Sequence, residues 1–407
     1  MVDIDTPDRI ETIGADFFAD PHRHYRRWRE YGPVRRVRFP DGVIRWVILG
    51  HAEGRAALAD PRLRKNIAHV EALVSAKRQT PPMDPRQIAL LTHMLNIDPP
   101  DHSRLRKLVS TAFTAHRVAA LRPRIEQITS ALLDGIDGRD EVDLLREFAV
   151  PLPITVICEL LGVPPTERDD FQQWTQDLVG VVGREEERTR ASLAMIAYLT
   201  RLVRAKQATP ADDLLSGLVQ VGEDGDALTE PELVAMSFLL LVAGYETTVN
   251  LIANGTYALL QHPDRFHALR ADPDAIPAAV EEFLRYDGPV NLSTVRFTTE
   301  PIHIADITIP PGELVYIALE AANRDPARYP TPDTLDPTRD TSAHLAFGHG
   351  IHFCLGAPLA RMEAHIAFSG LLHRFPNLHL SPTADTINWQ SSTLIRGLLQ
   401  LPVRLRA

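Results

Sequence analysis

The chain has 407 residues, 44% hydrophobic and 24% charged, a balance that excludes disorder and fibrous repeats and suffices for a large buried core. Lys and Arg total 43 against 53 Asp and Glu, and the net charge of −10 argues against nucleic acid or an anionic membrane as partner of the whole molecule. Two cysteines can build neither a disulfide framework nor a four-thiolate metal site, as suits a reducing cytoplasm.

In chain order, the opening "MVDIDTPDRIETIG" is acidic where a secretory signal would be basic and then apolar, so a cytoplasmic protein is expected. Pro33 to Gly50 alternates apolar and polar residues around Pro40-Asp41-Gly42 and reads as a hairpin. Asp101 to Leu121 reads as a helix. His102 and Arg106, four apart, present two cationic or hydrogen-bonding heads on one of its faces, although each alone reads as a surface charge. "VICELLG", with Cys158, is a further helical stretch whose thiol reads as a small core residue. Thr229-x-x-Glu232 is a capping box that opens a helix running to about His262, ~50 Å if unbroken. Its apolar run, Leu233 to Gly244, falls short of the ~18 residues that span a bilayer.

Within that helix lies "AGYETT". Gly244 lowers helix stability by roughly 1 kcal/mol relative to Ala, and a buried Glu246 beside Thr247 is costly without a role. Alone, the same residues read equally well as a glycine packing contact beside a solvated acid. Glu282 and Arg285, three apart, share a helix face, usually the mark of a weak surface ion pair. Val295 to Leu319 is β-rich with a Pro310-Pro311-Gly312 turn, and "RDPARYPTPDTLDPTRD" reads as an irregular meander. Cys354 then precedes the helical pattern "LGAPLARMEAHIAFSGLLHRF", with Pro358 in its first turn. A cysteine there meets unpaired N–H groups and the positive helix end, which stabilise a thiolate. Gly348, Gly350 and Gly356 permit sharp turns or close approach to a flat ligand. The expectation is a single, mainly α domain over residues 1–407 with a small β portion.

Phe347-x-x-Gly350-x-x-x-Cys354-x-Gly356 resembles the haem-binding loop of the cytochrome P-450 family. "AGYETT" is similar to that family's oxygen-activation segment. Glu282-x-x-Arg285 and His102-x-x-x-Arg106 match two further stretches, so the likeness covers nearly the whole chain. It implies the P-450 fold with a long central helix, and haem b as cofactor with Cys354 as the iron's axial thiolate. It places Ala243, Gly244, Phe347, Gly350 and Gly356 against the haem, and His102, Arg106, Arg296 and His352 on its propionates. Glu246 and Thr247 would be the proton relay, and Glu282, Arg285 and Arg339 a structural network supporting the loop. A thiolate ligand favours O–O cleavage over oxygen storage.

No dinucleotide fingerprint is present, so electrons from NADH or NADPH are expected through a ferredoxin reductase and a ferredoxin. Arg104, Lys107 and Arg361 could form the ferredoxin's docking patch, or merely solvated helix faces. The resemblance implies a monomer that hydroxylates or epoxidises a lipophilic small molecule: a macrolide, another polyketide or a sterol-like compound of secondary metabolism. The expected pocket is apolar and drawn from Lys65 to His93, Phe171 to Tyr198, Leu240, Ala243, Val290 to Ser293 (with Asn291 and Leu292) and Leu394. Three competing readings are a haem-thiolate binder or gas sensor, a peroxide-driven peroxygenase, and a cysteine hydrolase. The first needs no proton relay, the second usually replaces the acid and alcohol, and the third has no haem.

Overall fold

The computed structural model describes residues 10–179, 185–220, 227–382 and 387–406. The opening nine residues, and residues 180–184 of the expected pocket segment Phe171 to Tyr198, lie outside it. The predicted hairpin forms from strands Val34–Arg38 and Ile44–Ile48, antiparallel with Val34 opposite Ile48. Gly42 closes its turn at a φ of +81°, open to glycine at no steric cost. Strand Leu314–Ile317 adds to Ile44–Ile48 in parallel, Arg296–Thr298 pairs beyond it, and Leu63–Arg64 completes that edge. The predicted hairpin and two strands of the second β-rich patch thus share one six-stranded sheet, with Glu11–Thr12 on the far edge, while Ile302–Ile304 and Ile307–Ile309 of that patch pair only with each other. A small three-stranded sheet joins Glu141–Asp143 to Pro402–Arg404 and His379–Leu380.

The long helix runs from Glu230 to Leu260, 31 residues or ~46 Å. Its capping box is formed: the Thr229 hydroxyl accepts from the Glu232 N–H, and the Glu232 carboxylate accepts from the Thr229 N–H at 2.8 Å. By length and composition this helix could cross a membrane, but 72% of its most apolar window is buried inside the fold. It is apolar nearly all round because helices Pro151–Leu161, Glu185–Ala208, Ile276–Asp287 and Ala357–Arg374 pack on it. Cys158 is buried in that core, and burial pushes its thiol up to about 12. The helix expected from Asp101 to Leu121 is two: Asp101–Ala112 and Ala115–Ala120. The Thr114 hydroxyl caps the second by accepting from the Arg117 N–H, so a side-chain cap breaks an otherwise continuous pattern.

Candidate functional site

The thiol sits in a loop of consecutive tight turns. The Leu345 N–H donates to Asn323 Oδ1 at 2.6 Å, and the Cys354 N–H donates to the Phe347 carbonyl at 2.9 Å. Gly350 has a φ of +75°, and a Cβ there would stand 3.1 Å from Leu58 O and Ala59 Cα, so shape and strain both require glycine. Cys354 lies just ahead of helix Ala357–Arg374. It is accessible by area although protein surrounds it on most sides, as a side chain facing an internal space would be. Burial raises its pKa. The N–H groups of Gly356 and Ala357 and the cations Arg106 and Arg361 oppose that shift without overcoming it. The helix N–H groups thus act on the thiol in the direction expected, favouring the thiolate, and a metal ion at the sulfur would favour it further.

Beside the thiol is a cluster of cationic and imidazole side chains. His102 is 2% exposed, yet neither ring nitrogen has a hydrogen-bond partner among the described residues, and its ring centroid lies 4.3 Å from that of His352. Arg296, 4% exposed, donates from Nη1 to the Leu63 carbonyl at 3.3 Å and leaves Nε without a partner. Burial, then Lys65, His102, Arg296 and Arg106, press His352 down to about 2. Burial holds Arg296 near 10, and burial with Arg296 holds Lys65 well below the usual lysine range. Burial also lowers Arg106. The nearby carboxylates are engaged elsewhere, Asp98 by the N–H groups of Lys65 and Asn66 and Asp60 by Arg62. Asp98 and Asp60 offset these crowded groups only in part, since burial and the mutual repulsion still prevail, so the cluster fits an anion with several acceptor oxygens, as the two haem propionates offer. Lys65 escaped the sequence reading except as the edge of a pocket segment. Only the pairing of Leu63–Arg64 with Arg296–Thr298 brings it here.

On the long helix, Ala243 is exposed and Leu240, Gly244 and Thr247 are half-exposed, while Leu241, Tyr245, Glu246 and Thr248 are buried. Positions 240, 243, 244 and 247 therefore form a face toward open space. The Thr247 hydroxyl donates to the Ala243 carbonyl at 2.6 Å. Glu246 is turned away from Thr247: its Oε1 accepts from Asn250 Nδ2 at 3.2 Å and from Gln390 Nε2 at 3.3 Å. Burial raises its pKa against those two donors. A Cβ at Gly244 would lie 3.1 Å from Ile157 Cδ1, so this glycine, half-exposed on the open face, also lets helix Pro151–Leu161 pack closely.

The expected Glu–Arg–Arg network is formed and buried. Arg285 donates to both carboxylate oxygens of Glu282, at 2.6 and 2.8 Å, and to the carbonyls of Asn323, Pro332 and Thr334. Glu282 Oε1 also accepts from the Asp336 N–H at 2.8 Å and lies 3.6 Å from Arg339 Nε. The adjacent Glu281 holds Arg361 by two bonds, at 2.6 and 2.8 Å, and His344 at 3.0 Å, while the Arg361 guanidinium lies 4.6 Å from the Phe347 ring centroid. Two successive acids of one helix thus fasten the meander, the thiol loop and the helix behind it.

Other expectations need correction. Asn291 does not present its side chain to a pocket: its Oδ1 accepts from the Tyr25 hydroxyl at 2.5 Å. Leu292 packs among Phe17, Tyr25 and Trp28. Val290, bridged to Ile395, is half-buried against the core cluster that includes Ile48, Ile317 and Leu319, whereas Leu394 is 39% exposed. The basic patch is largely neutralised, Arg104 by Glu232 and Arg361 by Glu281, which leaves Lys107 exposed.

Residues 189–404 match the family model described as Cytochrome P450. The chain is 52% identical over 404 residues to cytochrome P450 107B1 of Saccharopolyspora erythraea, covering 98% of each. It is 40% identical over 406 residues to the polyketide biosynthesis cytochrome P450 PksS of Bacillus subtilis, covering 96% of this chain and 97% of that one. The tirandamycin C-bound P450 monooxygenase TamI superposes with a TM-score of 0.90 at 47% identity, over 97% of this chain and all of TamI.

Proposed function

The chain belongs to the cytochrome P450 family and is a monooxygenase, and from that premise we propose how its own residues carry the activity. Cys354 holds the iron of haem b, and Lys65, His102, Arg106, Arg296 and His352 hold the propionates. The observation that carries this is one accessible thiol at a helix start near a buried cationic and imidazole cluster in which the ring nitrogens of His102 and Nε of Arg296 find no partner among the described residues. Haem bound through a thiolate would supply the activation of dioxygen, one atom of which enters the substrate while the other leaves as water at the expense of two electrons and two protons. Phe347, Gly350 and Gly356 shape the loop on the thiolate side. Leu240, Ala243 and Thr247 wall the opposite side, and Thr247 Oγ1, its proton engaged by the Ala243 carbonyl, offers lone pairs that hold a water. Glu246 takes up and releases the protons that this water passes on. Glu282, Arg285 and Arg339 keep the meander and loop in register.

Electrons come from NADH or NADPH through a ferredoxin reductase and a ferredoxin. The substrate is a lipophilic macrolide, other polyketide or sterol-like molecule, supported by the apolar residues Leu240, Ala243, Val290 and Leu394 and by the likeness to a polyketide biosynthesis enzyme.

The test is the carbon-monoxide spectrum of the reduced protein. Cys354→Ala should abolish the red-shifted band of thiolate ligation while Cys158→Ala keeps it. The reverse result overturns the ligand assignment. For the substrate class, polyketide or sterol-like molecules should shift the resting haem absorption and small polar metabolites should not. A tight response to a sugar phosphate or an amino acid overturns that class.

A further inference from the structure

The long helix carries a buried polar stripe, Glu246, Asn250 and Asn254, spaced four apart and therefore on one face. Each member meets the C-terminal hairpin 388–399, whose arms are closed by Gln390 N–H to Gly397 O at 2.8 Å and Leu399 N–H to Asn388 O at 2.9 Å. Asn254 Nδ2 donates to the Arg396 carbonyl at 2.9 Å and to the Asp287 carbonyl at 3.2 Å, fastening the hairpin to the helix. One turn earlier, Asn250 Nδ2 and Gln390 Nε2 both donate to Glu246 Oε1. A Cβ at Gly397 would stand 2.1 Å from Asn250 Oδ1 and 2.8 Å from Gln390 Nε2, so glycine keeps the cradle open. Among the described residues no charged side chain bears on the carboxyl: Arg396, the hairpin's cation, is turned to Asp287 and the Trp389 ring. Among the described residues no donor reaches Glu246 Oε2.

We propose that Gln390, with Asn250, is a positioning residue that holds Glu246 by one oxygen so that the other is free to exchange protons with water. The proposal rests on Glu246 as a proton carrier in the monooxygenase reaction. One fixed oxygen sets the direction of the free one. A neutral amide can hold both the acid and its anion, which a cation could not do without locking the carboxylate ionised. The carboxyl is regenerated after each proton it passes.

A double-mutant cycle separates this from a merely structural role, with the carbon-monoxide spectrum as the check that each variant is folded and loaded. Gln390→Met keeps side-chain length and removes the N–H donors. It should lower product formed per NAD(P)H consumed about five-fold in the wild-type background, and by less than about 1.5-fold once Glu246→Gln is present. Equal losses in both backgrounds, or no loss in the first, overturn the proposal. If Gln390→Met does not load haem, Gln390→Leu, which also removes the N–H donors and adds no titratable group, enters the same cycle.

An infrared titration of the resting protein gives a readout independent of turnover. The carboxyl band lost in Glu246→Gln identifies the group, and its midpoint should move to higher pH in Gln390→Met, because a donor to the anion has gone. An unmoved midpoint overturns the positioning role. Full coupling in Glu246→Gln with a moved midpoint instead overturns Glu246 as proton carrier while leaving Gln390 as its holder.

Discussion

The two cysteines show how little residue type alone decides. Cys158 lies in an apolar helix contact and is pushed to about 12, an inert thiol at any working pH. Cys354 has the N–H groups of Gly356 and Ala357 and the charges of Arg106 and Arg361 favouring its thiolate, although burial still raises its pKa. Thr247 and Thr248 make a similar contrast: both hydroxyls donate one turn back, to Ala243 at 2.6 Å and Gly244 at 3.1 Å, but only Thr247 stands on the open face. Thr247→Ala should therefore keep the carbon-monoxide spectrum, substrate binding and NAD(P)H consumption, while product per NAD(P)H falls and hydrogen peroxide accumulates in its place. Where the proton step controls turnover the loss should reach ~10²-fold, and Thr247→Ser should restore most of it. An unchanged ratio would leave Thr247 an ordinary helix residue.

Among the elements, helix Ile276–Asp287 has the most to hold, because Glu281 and Glu282 point to different partners in the same loop region. Glu282→Ala strands Arg285, which has no exposed surface, at an expected cost of about 3–5 kcal/mol. Soluble yield, haem content and the urea midpoint should all drop, and normal values would contradict a structural role. What the sequence made legible here was local. The hairpin, the capping box, the glycine–cysteine loop and the Glu–Arg pair each carry their cause within a few residues. What stayed illegible was set by contacts across the chain. Lys65 reaches its cluster through a strand pairing with Arg296, Gln390 reaches Glu246 from 144 residues away, and Asn291 and Leu292 are drawn from the pocket by Tyr25 and its aromatic neighbours. A four-residue spacing fixes a helix face but not the element that will cover it.

At the scale of the molecule, the N-terminal helix Pro21–Arg29 is locked to the body at a buried junction, where His22 Nε2 lies 3.3 Å from Asp287 and 3.5 Å from Glu320. Burial, then Arg324, lowers His22 from 6.5 to about 4, so the folded protein holds it neutral while the unfolded chain protonates it below 6.5. Its contribution is therefore fully present above pH 6.5 and lost as pH falls through about 4. By pH 5 it should be weaker by about 2 kcal/mol. Urea unfolding at pH 7.5 and 5 should show that loss, and His22→Gln should flatten it; an equal slope in the variant would place the acid sensitivity elsewhere. The same interleaving of distant segments governs how the protein is made. The main sheet closes only when residues 296–317 meet 11–64, Cys354 follows, and Glu141–Asp143 waits for its partner strand at Pro402–Arg404. During synthesis the strand Glu141–Asp143 therefore stays unpaired until Pro402–Arg404 has been made, and the main sheet stays open until residues 296–317 have been made.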